Sequence, residues 1–458
     1  MILLQSFKSI YFIGIGGVSM SGLAEIMLHY GHEVAGSDLK NSSITKHLAL
    51  LGAQIHIGHH SAHIGNPDLV VYTAAISPDN PELKAATKKN IPTLERADFL
   101  GRMMKDYTHP VAIAGTHGKT TTTGFVSSIL LVAKKNPTIL IGGQLDLING
   151  YLHIGNREIF LTEACEYKRS FTKFHPQYAV VLNIEEDHLD YYKDLDDILD
   201  AFNDFANRLP EDGRLIYNSD CANSSKLFRK TQHQAITFGM KNSHVSVSNL
   251  NYTPYPEFEL VIEDISVGNV QLSVPGEHNV YNALAAAACC WCMGLSHSDI
   301  VNGLNQFIGA KRRFQLIGSY NGSLIVDDYA HHPTEIKATL KTAKNMTDGR
   351  VLCVFQPHTY TRTLSLLSEF ASSFDIADTV LIVDIYAARE IDSGLVHSKD
   401  LVASLLKNGV DAYYCDSFSS AKTLLVKIAH PSDIILTMGA GDVDVIGQSL
   451  IEKSGLNP

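Results

Sequence analysis

A glycine-rich stretch at residues 113–122 constrains the fold of this chain more than any other segment. Apolar residues 111–114 lead into it, and a helix-compatible run, 121–133, follows it. A strand, a tight turn and a helix that begins near Gly-Lys-Thr form a phosphate loop, in which backbone N–H groups, a lysine and a hydroxyl face phosphates and Mg²⁺. The loop is short, because its first glycine is Gly115 and Ile113 stands where the usual loop has glycine. A plain strand-to-helix turn is the alternative. The predicted nucleotide-binding residues are Gly115, Thr116, His117, Gly118, Lys119, Thr120 and Thr121.

Composition narrows the class of protein. The 458 residues are 45% apolar and 19% charged, which is typical of a globular enzyme of several domains. A net charge of −11 argues against a non-specific nucleic-acid binder and against binding to anionic membranes. We expect no signal peptide and no membrane insertion, because the N-terminal apolar segment lacks a charged leader and no apolar run could span a bilayer. The odd number of cysteines favours a reducing compartment, so we expect a cytoplasmic protein.

Strand and helix patterns alternate in three blocks, at about 10–100, 111–305 and 323–450. The predicted strands include 69–72, 178–183 and 351–355, and a β-rich stretch is predicted near 244–274. Such alternation predicts an α/β protein whose domains are each built on a largely parallel, doubly wound sheet. The predicted domains are residues 1–107, 108–310 and 311–458.

Glycines follow the first predicted strand. Gly14, Gly16 and Gly17 open a helix, and Asp38 ends the next strand. This pattern is similar to a dinucleotide-binding turn, but its third glycine position is Ser19. It indicates a nucleotide diphosphate group, with a tightly packed turn as the alternative.

Polar residues follow two strands of the second block. Glu163 ends one strand and His188 follows another. Because parallel strands end at the same edge of a sheet, both side chains are expected beside Thr120, around a metal ion. An exposed strand-end carboxylate and a loop histidine are the alternatives.

Two asparagines lie three residues apart at the start of an alanine-rich helix. Asn279 and Asn282 can therefore face one ligand, and amide groups suit an adenine edge. Asn279 could equally be a helix cap.

Histidines recur in two further places. His331 and His332 follow paired acids, but a metal site is disfavoured there because adjacent side chains point in different directions. A cluster of four histidines in the first block is interpreted as solvent-exposed rather than metal-binding; its members are His56, His59, His60 and His63.

Taken in order, the motifs of the whole chain resemble the Mur ligases, the ATP-dependent amide-forming enzymes of peptidoglycan synthesis. The matching segments are Gly14–Gly22, Gly115–Thr122, Glu163–Tyr167 with Arg169–Phe171, Asn183–Asp190, Gly276–Asn282, Arg312–Phe314, Asp328–Pro333 and Gln356–Arg362. One departure concerns a carbamylated lysine that several relatives carry after the Asn-x-x-x-Asp-His motif. The region near Asn203 offers no lysine, so that residue is not assigned.

The resemblance implies a Rossmann-like UDP-sugar domain, a central ATPase-like domain with the phosphate loop, and a Rossmann-like third domain that receives an amino acid. It implies ATP-dependent joining of L-alanine to the lactyl carboxylate of UDP-N-acetylmuramate through an acyl phosphate. ATP and Mg²⁺ are the expected cofactors, and a monomer or homodimer is expected.

The resemblance also implies roles for single residues. Lys119 would hold the β- and γ-phosphates, and Thr120, Glu163 and His188 would hold Mg²⁺, although imidazole is not its usual ligand. In the nucleotide site, Asn279 and Asn282 would bind adenine, while Arg313 and Asp328 would reach the phosphates and ribose. In the alanine site, His358 and Arg362 would steer the amino acid, Arg362 through its carboxylate. The UDP-sugar would contact Gly14, Gly16, Gly17, Ser19, Asp38 and Thr73.

Three other functions remain open at this point. A nicotinamide-dependent oxidoreductase would explain Gly14–Gly22 and Asp38, but not the phosphate loop or the third block. A nucleotide sensor without turnover would not need Glu163 and His188. A ligase that attaches a preformed tripeptide is the nearest enzyme alternative, but such relatives carry a longer stretch after the Glu-Tyr motif at 166–167.

Overall fold

A computed structural model of the chain describes residues 6–252 and 254–454. Three sheets follow one another along the sequence, and they confirm the predicted α/β class with three largely parallel domains. The predicted boundaries at 107/108 and 310/311 lie in the segments between these sheets and stay predictions.

The first domain is a parallel sheet of strand order β3-β2-β1-β4-β5. Its strands are β1 Ser9–Ile13, β2 Glu33–Asp38, β3 Gln54–Ile57, β4 Leu69–Tyr72 and β5 Thr93–Glu95. Its helices are α1 Val18–His29, α2 Ser43–Leu50, α3 Pro81–Lys88 and α4 Arg96–Met104, with a short 3₁₀ turn at Ser61–Ile64. The order changes direction at β1, which places the glycine turn after β1 at a switch point where ligands commonly bind.

The central domain has strand order β15-β14-β13-β12-β11-β10-β6-β9-β7-β8. Its strands are β6 His109–Ala114, β7 Thr138–Leu145, β8 Gly150–His153, β9 Ile159–Ala164, β10 Tyr178–Val181, β11 Arg214–Asn218, β12 Gln234–Phe238, β13 Val245–Asn251, β14 Glu257–Ile262 and β15 Ile265–Gln271. Its helices are α5 Lys119–Val132, α6 Leu195–Ala206, α7 Ala222–Phe228, α8 Glu277–Cys292 and α9 His297–Gln306, with 3₁₀ turns at Asp146–Ile148 and Tyr167–Lys173. The β-rich stretch predicted near 244–274 forms the antiparallel end of this sheet, β13 to β15.

The third domain has strand order β16-β17-β21-β18-β19-β20, parallel except for the β16–β17 hairpin. Its strands are β16 Gln315–Tyr320, β17 Ser323–Asp328, β18 Val351–Phe355, β19 Thr379–Ile382, β20 Ala412–Tyr414 and β21 Ile434–Met438. Its helices are α10 Pro333–Asn345, α11 Tyr360–Ser365, α12 Leu367–Ala371, α13 Ser398–Lys407, α14 Phe418–Ile428 and α15 Asp444–Ser454.

Central strands of all three sheets are apolar and buried, as parallel strands covered on both faces must be. β18, for example, is buried along its whole length, with sequence Val-Leu-Cys-Val-Phe. The carboxyl ends of β6, β9 and β10 lie side by side, because β6 pairs with both neighbours. This arrangement brings the phosphate loop after β6 next to the polar segments that follow β9 and β10.

In the part of the chain that the structure describes, no helix is both long enough and apolar enough to cross a membrane.

Candidate active site

The phosphate loop connects β6 to α5 through two glycines with positive φ angles, Gly115 at 144° and Gly118 at 85°. Residues with a side chain rarely adopt these conformations, which explains glycine at both positions. α5 begins at Lys119, two residues before the predicted start, so Lys119 and Thr120 lie in its first turn. Asn183 braces the loop, because its side chain accepts a hydrogen bond from the His117 backbone N–H at 2.8 Å.

The Lys119 ammonium points toward the carboxyl end of β9, where Glu166 lies. It donates to both carboxylate oxygens of Glu166, at 3.1 and 2.9 Å. Burial opposes the charged form, but Glu166 outweighs it and keeps the pKa of Lys119 above its ordinary value. The lysine is therefore a fixed positive charge beside the N-terminus of α5, where phosphate groups would meet it.

His188 lies beside the same carboxylate. Its Nε2 atom is 3.7 Å from Glu166 Oε1 and 3.6 Å from Asp187 Oδ2. Ligand atoms of Glu166, Asp187 and His188 all lie within 4.8 Å of one another. Two carboxylates in such a group are oxygen donors of the kind that Mg²⁺ prefers, so the donor set fits a divalent cation.

Glu163 lies close to the loop but makes a different contact. Its carboxylate accepts from the Gly142 backbone N–H on β7 at 2.8 Å. A Cβ at Gly142 would meet this carboxylate, and a Cβ at the next residue, Gly143, would meet the Thr120 side chain. The two predicted metal ligands, Glu163 and Thr120, thus lie against consecutive glycines of one strand. The histidine predicted to join them, His188, contacts Glu166 and Asp187 instead.

The third domain reaches this cluster through Arg362. Its guanidinium Nη2 lies 3.2 Å from Asp187 Oδ1, and its Nη1 lies 3.3 Å from His358 Nδ1. Burial, and then the Arg362 charge, lower the pKa of His358 to about 4, so this imidazole is neutral near pH 7. Burial opposes the charged form of Asp187, but His188 and Arg362 hold the pKa of Asp187 below its ordinary value. Asp187 therefore joins the two domains as a buried carboxylate.

A cavity of about 490 Å³ opens beside the loop, between the central and third domains. Predicted site residues that line it are His117, Gly118, Thr121, Asn279, Asn282, Arg313 and Asp328. This volume and the mixed apolar and polar wall are typical of a site for a nucleotide-sized ligand.

The two asparagines are held in place before any ligand binds. Asn279 donates to the Pro275 carbonyl at 2.7 Å, and Asn282 donates to the Asn279 side-chain oxygen at 3.0 Å. The N-cap of α8 is Gly276, so the interpretation of Asn279 as the helix cap is wrong.

Arg313 and Asp328 line the cavity on the side of the third domain. Arg313 Nη2 donates to Thr120 Oγ1 across the domain boundary at 3.3 Å. Asp328 accepts from the backbone N–H groups of Phe314 and Ala330, each at 2.7 Å, and burial raises its pKa to about 6. Asp328 thus shapes the segment that carries Arg313.

The predicted sugar-site residues of the first domain gather after β1. The Gly16 backbone N–H donates to the Asp38 carboxylate at 2.9 Å, so this acid braces the glycine turn. Gly14 lies against Thr73, while the Ser19 hydroxyl accepts from Arg96 at 3.3 Å.

The paired histidines of the third domain diverge, as the sequence predicts. His331 Nδ1 contacts the Tyr329 carbonyl oxygen, whereas His332 Nε2 contacts the Glu186 carbonyl oxygen of the central domain.

The interpretation of the four clustered histidines of the first domain as solvent-exposed is wrong for most of them. His59 and His63 contact the fully buried Glu82 at 2.7 and 3.3 Å, and His56 stacks on His63. Only His60 of the four is exposed. A buried carboxylate needs several hydrogen-bond donors, and residues distant in sequence supply them. The polar sequence around these histidines therefore does not reveal that they face Glu82.

Glu166 and Asp187 are not among the predicted site residues, although both lie within the matching motifs. A strand-end pattern such as Glu-Ala-Cys-Glu does not say which glutamate faces the lysine. The turn after β9 decides this, and it contains Lys168 and Arg169 at φ angles of 54° and 55°.

Three parallel-sheet domains around a phosphate loop, with charged groups of the third domain reaching that loop, define a multidomain nucleotide-dependent enzyme. Three family models match in order: "Mur ligase family, catalytic domain" at residues 9–108, "Mur ligase middle domain" at 113–290 and "Mur ligase, glutamate ligase domain" at 312–441. The chain belongs to the Mur ligase family.

Similar proteins include two named UDP-N-acetylmuramate–L-alanine ligase. The one from Clostridium novyi is 48% identical over 97% of both chains, and the one from Acetivibrio thermocellus is 48% identical over 98% of this chain and 96% of the other. Among solved structures, the UDP-N-acetylmuramate–alanine ligase of Thermotoga maritima matches with a TM-score of 0.81 at 28% identity, covering 98% of this chain and 99% of the other. A murein peptide ligase from Psychrobacter arcticus matches over the same shares with a TM-score of 0.71 at 26% identity.

Proposed function

We propose that this chain is an ATP-dependent ligase that joins L-alanine to the lactyl carboxylate of UDP-N-acetylmuramate, in the synthesis of peptidoglycan precursors. The observation that carries the proposal is one continuous line of charged contacts. It runs from Lys119 of the phosphate loop through Glu166, His188 and Asp187 to Arg362 of the third domain. A phosphate-binding charge and a carboxylate-binding charge thus flank one acidic cluster, as a reaction between a phosphorylated acid and an amino acid requires. Relatives 46–48% identical over nearly the whole chain carry this activity in their names.

The reaction proceeds in two steps for a physical reason. A carboxylate is a poor electrophile, so transfer of the ATP γ-phosphoryl group to the lactyl carboxylate first forms an acyl phosphate and releases ADP. The neutral alanine amine then attacks the acyl carbon, and the tetrahedral intermediate loses an amine proton and expels inorganic phosphate to leave the amide. ATP and UDP-N-acetylmuramate are both anionic, so positioning and charge neutralisation carry most of the catalysis.

Each domain supplies a part of this task. Lys119 holds the β- and γ-phosphates, and Arg313 approaches them from the third domain. Asn279 and Asn282 bind the adenine in the cavity between the domains, where Asp328 faces the ribose. Arg362 pairs with the alanine carboxylate beside neutral His358.

Mg²⁺ is part of the proposal. Thr120, Glu163 and His188 remain the proposed ligands, and Glu166 and Asp187 are added because their carboxylates surround His188. When bound, the cation screens the charge of the phosphates and the lactyl carboxylate.

The UDP group is assigned to the first domain. Gly14, Gly16 and Gly17 give a diphosphate access to the backbone after β1, and Asp38, Thr73 and Ser19 surround that turn. The cytoplasmic location and the monomeric or homodimeric state stay predictions.

Phosphate release tests the proposal. The purified protein is incubated with ATP, Mg²⁺ and UDP-N-acetylmuramate, and with L-alanine, glycine, L-serine or the preformed tripeptide in turn. Release that depends on both the UDP-sugar and L-alanine supports the proposal. Release with the tripeptide but not with L-alanine would identify the tripeptide ligase instead, and binding of both nucleotides without turnover would identify a sensor.

A further inference from the structure

A buried histidine of the phosphate loop lies between two carboxylates that belong to different domains. His117 Nδ1 is 3.1 Å from Oε1 of Glu335, which lies in the first turn of α10 in the third domain. His117 Nε2 is 3.5 Å from Oε2 of Glu185, which follows β10 in the central domain. The side chains of His117 and Glu335 are only 13% and 15% exposed, so water screens this contact weakly.

His117 and Glu335 are both charged near neutral pH. Burial opposes the imidazolium form, but Glu335 and Glu185 outweigh it and raise the pKa of His117 to about 10. Burial also opposes the carboxylate form of Glu335, yet His331 and His117 hold the pKa of Glu335 well below its ordinary value. Without the imidazolium, two carboxylates would face each other across the domain boundary and repel.

Glu335 has a second set of contacts within its own domain. It accepts from the backbone N–H groups of His331 and His332, at 3.0 and 3.3 Å, and so forms the capping box of α10. The neighbouring Thr334 hydroxyl donates to Glu185 at 2.8 Å. The same carboxylate that contacts the phosphate loop therefore also fixes the backbone at the start of α10, where the segment that follows Asp328 ends.

We propose that Glu335 is a positioning residue that holds the third domain closed on the phosphate loop through His117, with Glu185 completing the contact. The proposal rests on the proposed function, because closure is what brings Arg313 and Arg362 to the reacting groups. His117 converts a repulsion between the domains into an attraction, so the closed arrangement depends on the charge of the loop itself.

Charge-neutral variants test the inference. Glu335→Gln keeps the capping box, since glutamine accepts the same helix-start bonds, but it removes the charge. It should raise the KM for alanine on the order of 5-fold, with a smaller effect on the KM for ATP. His117→Gln should lose more activity, because it leaves two carboxylates facing each other.

The decisive variant is the double change, His117→Gln with Glu335→Gln. It leaves one carboxylate at the boundary, so it should recover activity relative to His117→Gln alone. A residue that merely supports the fold would give additive losses instead. An additive or larger loss in the double variant overturns the inference.

A matched control comes from another ion pair across the same boundary. Lys341 of α10 lies 3.3 Å from Glu277 of α8, but these side chains are 63% and 47% exposed. Exposed pairs contribute little, so Lys341→Gln should stay within about 2-fold of the wild type. A loss equal to that of Glu335→Gln would show that any charge at this boundary matters, and would also overturn the inference.

Small-angle scattering separates this inference from the proposed function. Compaction of the wild type with a non-hydrolysable ATP analogue and Mg²⁺ needs no turnover. His117→Gln should be more extended, and the double variant should recover compaction, even if phosphate release with L-alanine fails. If His117→Gln does not fold, Glu335→Gln decides alone, because an unchanged scattering profile and an unchanged alanine KM would refute the role of Glu335.

Discussion

The two domain interfaces of this protein are built from different chemistry. Between the first and central domains, one hydrophobic core runs continuously from Leu23 and Met103 to Phe160 and Phe171. Between the central and third domains, the contacts described above are polar. They include His117–Glu335, Thr334–Glu185, His332 with the Glu186 carbonyl, Arg362–Asp187 and Arg313–Thr120.

This difference indicates which domain moves. Separating an apolar interface exposes its surface to water and costs free energy in proportion to the area. Separating buried charged groups costs less, because each group regains its hydration when the domains part, and this offsets much of the attraction that is lost. We infer that the first two domains form a fixed platform and that the third domain opens and closes on it. The expected hinge is 309–313, and Gly309 there has a φ of 108°.

The largest expected effect concerns the phosphate loop beneath the polar interface. Lys119→Ala should lower the rate of phosphate release roughly 100-fold or more, because it removes a preorganised charge worth on the order of 3 kcal/mol or more. UDP-sugar binding, measured by calorimetry, should stay near normal because that site lies on the fixed platform. Turnover like that of the wild type would contradict the assignment of the lysine.

The next effect concerns the metal. Glu163→Ala and His188→Ala should each raise the Mg²⁺ concentration needed for half-maximal activity, and the double variant should lose less than the sum of the two if they share a site. Glu166→Gln is the comparison variant, since Glu166 lies nearer His188. If only Glu166→Gln changes the Mg²⁺ titration, the ligand is Glu166 and the assignment of Glu163 is wrong.

A substitution of Arg362 tests whether the polar interface contributes to alanine binding. Arg362→Ala should raise the alanine KM roughly 10-fold or more while the ATP KM changes little, because the guanidinium pairs with the alanine carboxylate. Trapping of the acyl phosphate should still succeed. L-Alanine amide, which lacks that carboxylate, should be a poor substrate for the wild type and lose little more in the variant. Loss of ATP saturation with unchanged alanine saturation would place Arg362 in the nucleotide site.

The smallest expected effect on activity comes from a change in the apolar interface. Gly101 of α4 packs against the Lys173 backbone of the central domain, and a Cβ there would overlap the Lys173 carbonyl oxygen. Gly101→Ala should therefore lower the free energy of unfolding by about 1–3 kcal/mol, although alanine favours a helix. At a temperature where the variant is folded, its alanine KM should match that of the wild type.

Gly150→Ala is the control in denaturant unfolding, because a Cβ at Gly150 meets nothing within 4 Å. A Gly101 variant that keeps wild-type stability but changes the alanine KM would reverse the roles of the two interfaces.

Local sequence patterns predicted much of the fold. The strands at 69–72 and 351–355 have the predicted bounds, since apolar runs between polar turns define them. The strand predicted at 178–183 ends at Val181, and α5 begins at Lys119 rather than Thr121. Both differences lie beside the phosphate loop, where Asn183 and the glycine turn, rather than local propensity, set the backbone.

The site residues also fall into two groups, those predictable from local sequence and those that depend on distant partners. Lys119 was predictable, because the loop fixes where a lysine at its end must point. Glu166, Asp187 and Glu335 are not predictable in this way, because their importance comes from partners 47, 175 and 218 residues away in sequence. Charge alone does not reveal such partners.

The sequence by itself determined the three parallel-sheet domains, the position of the phosphate loop and the family resemblance, because each depends on short-range patterns of apolar residues, glycines and ordered motifs. Only the tertiary structure decided which carboxylate meets Lys119, where Glu82 finds its donors, and which of the two interfaces is polar. These features depend on how distant segments pack, and a buried charge is stable only where that packing supplies a partner.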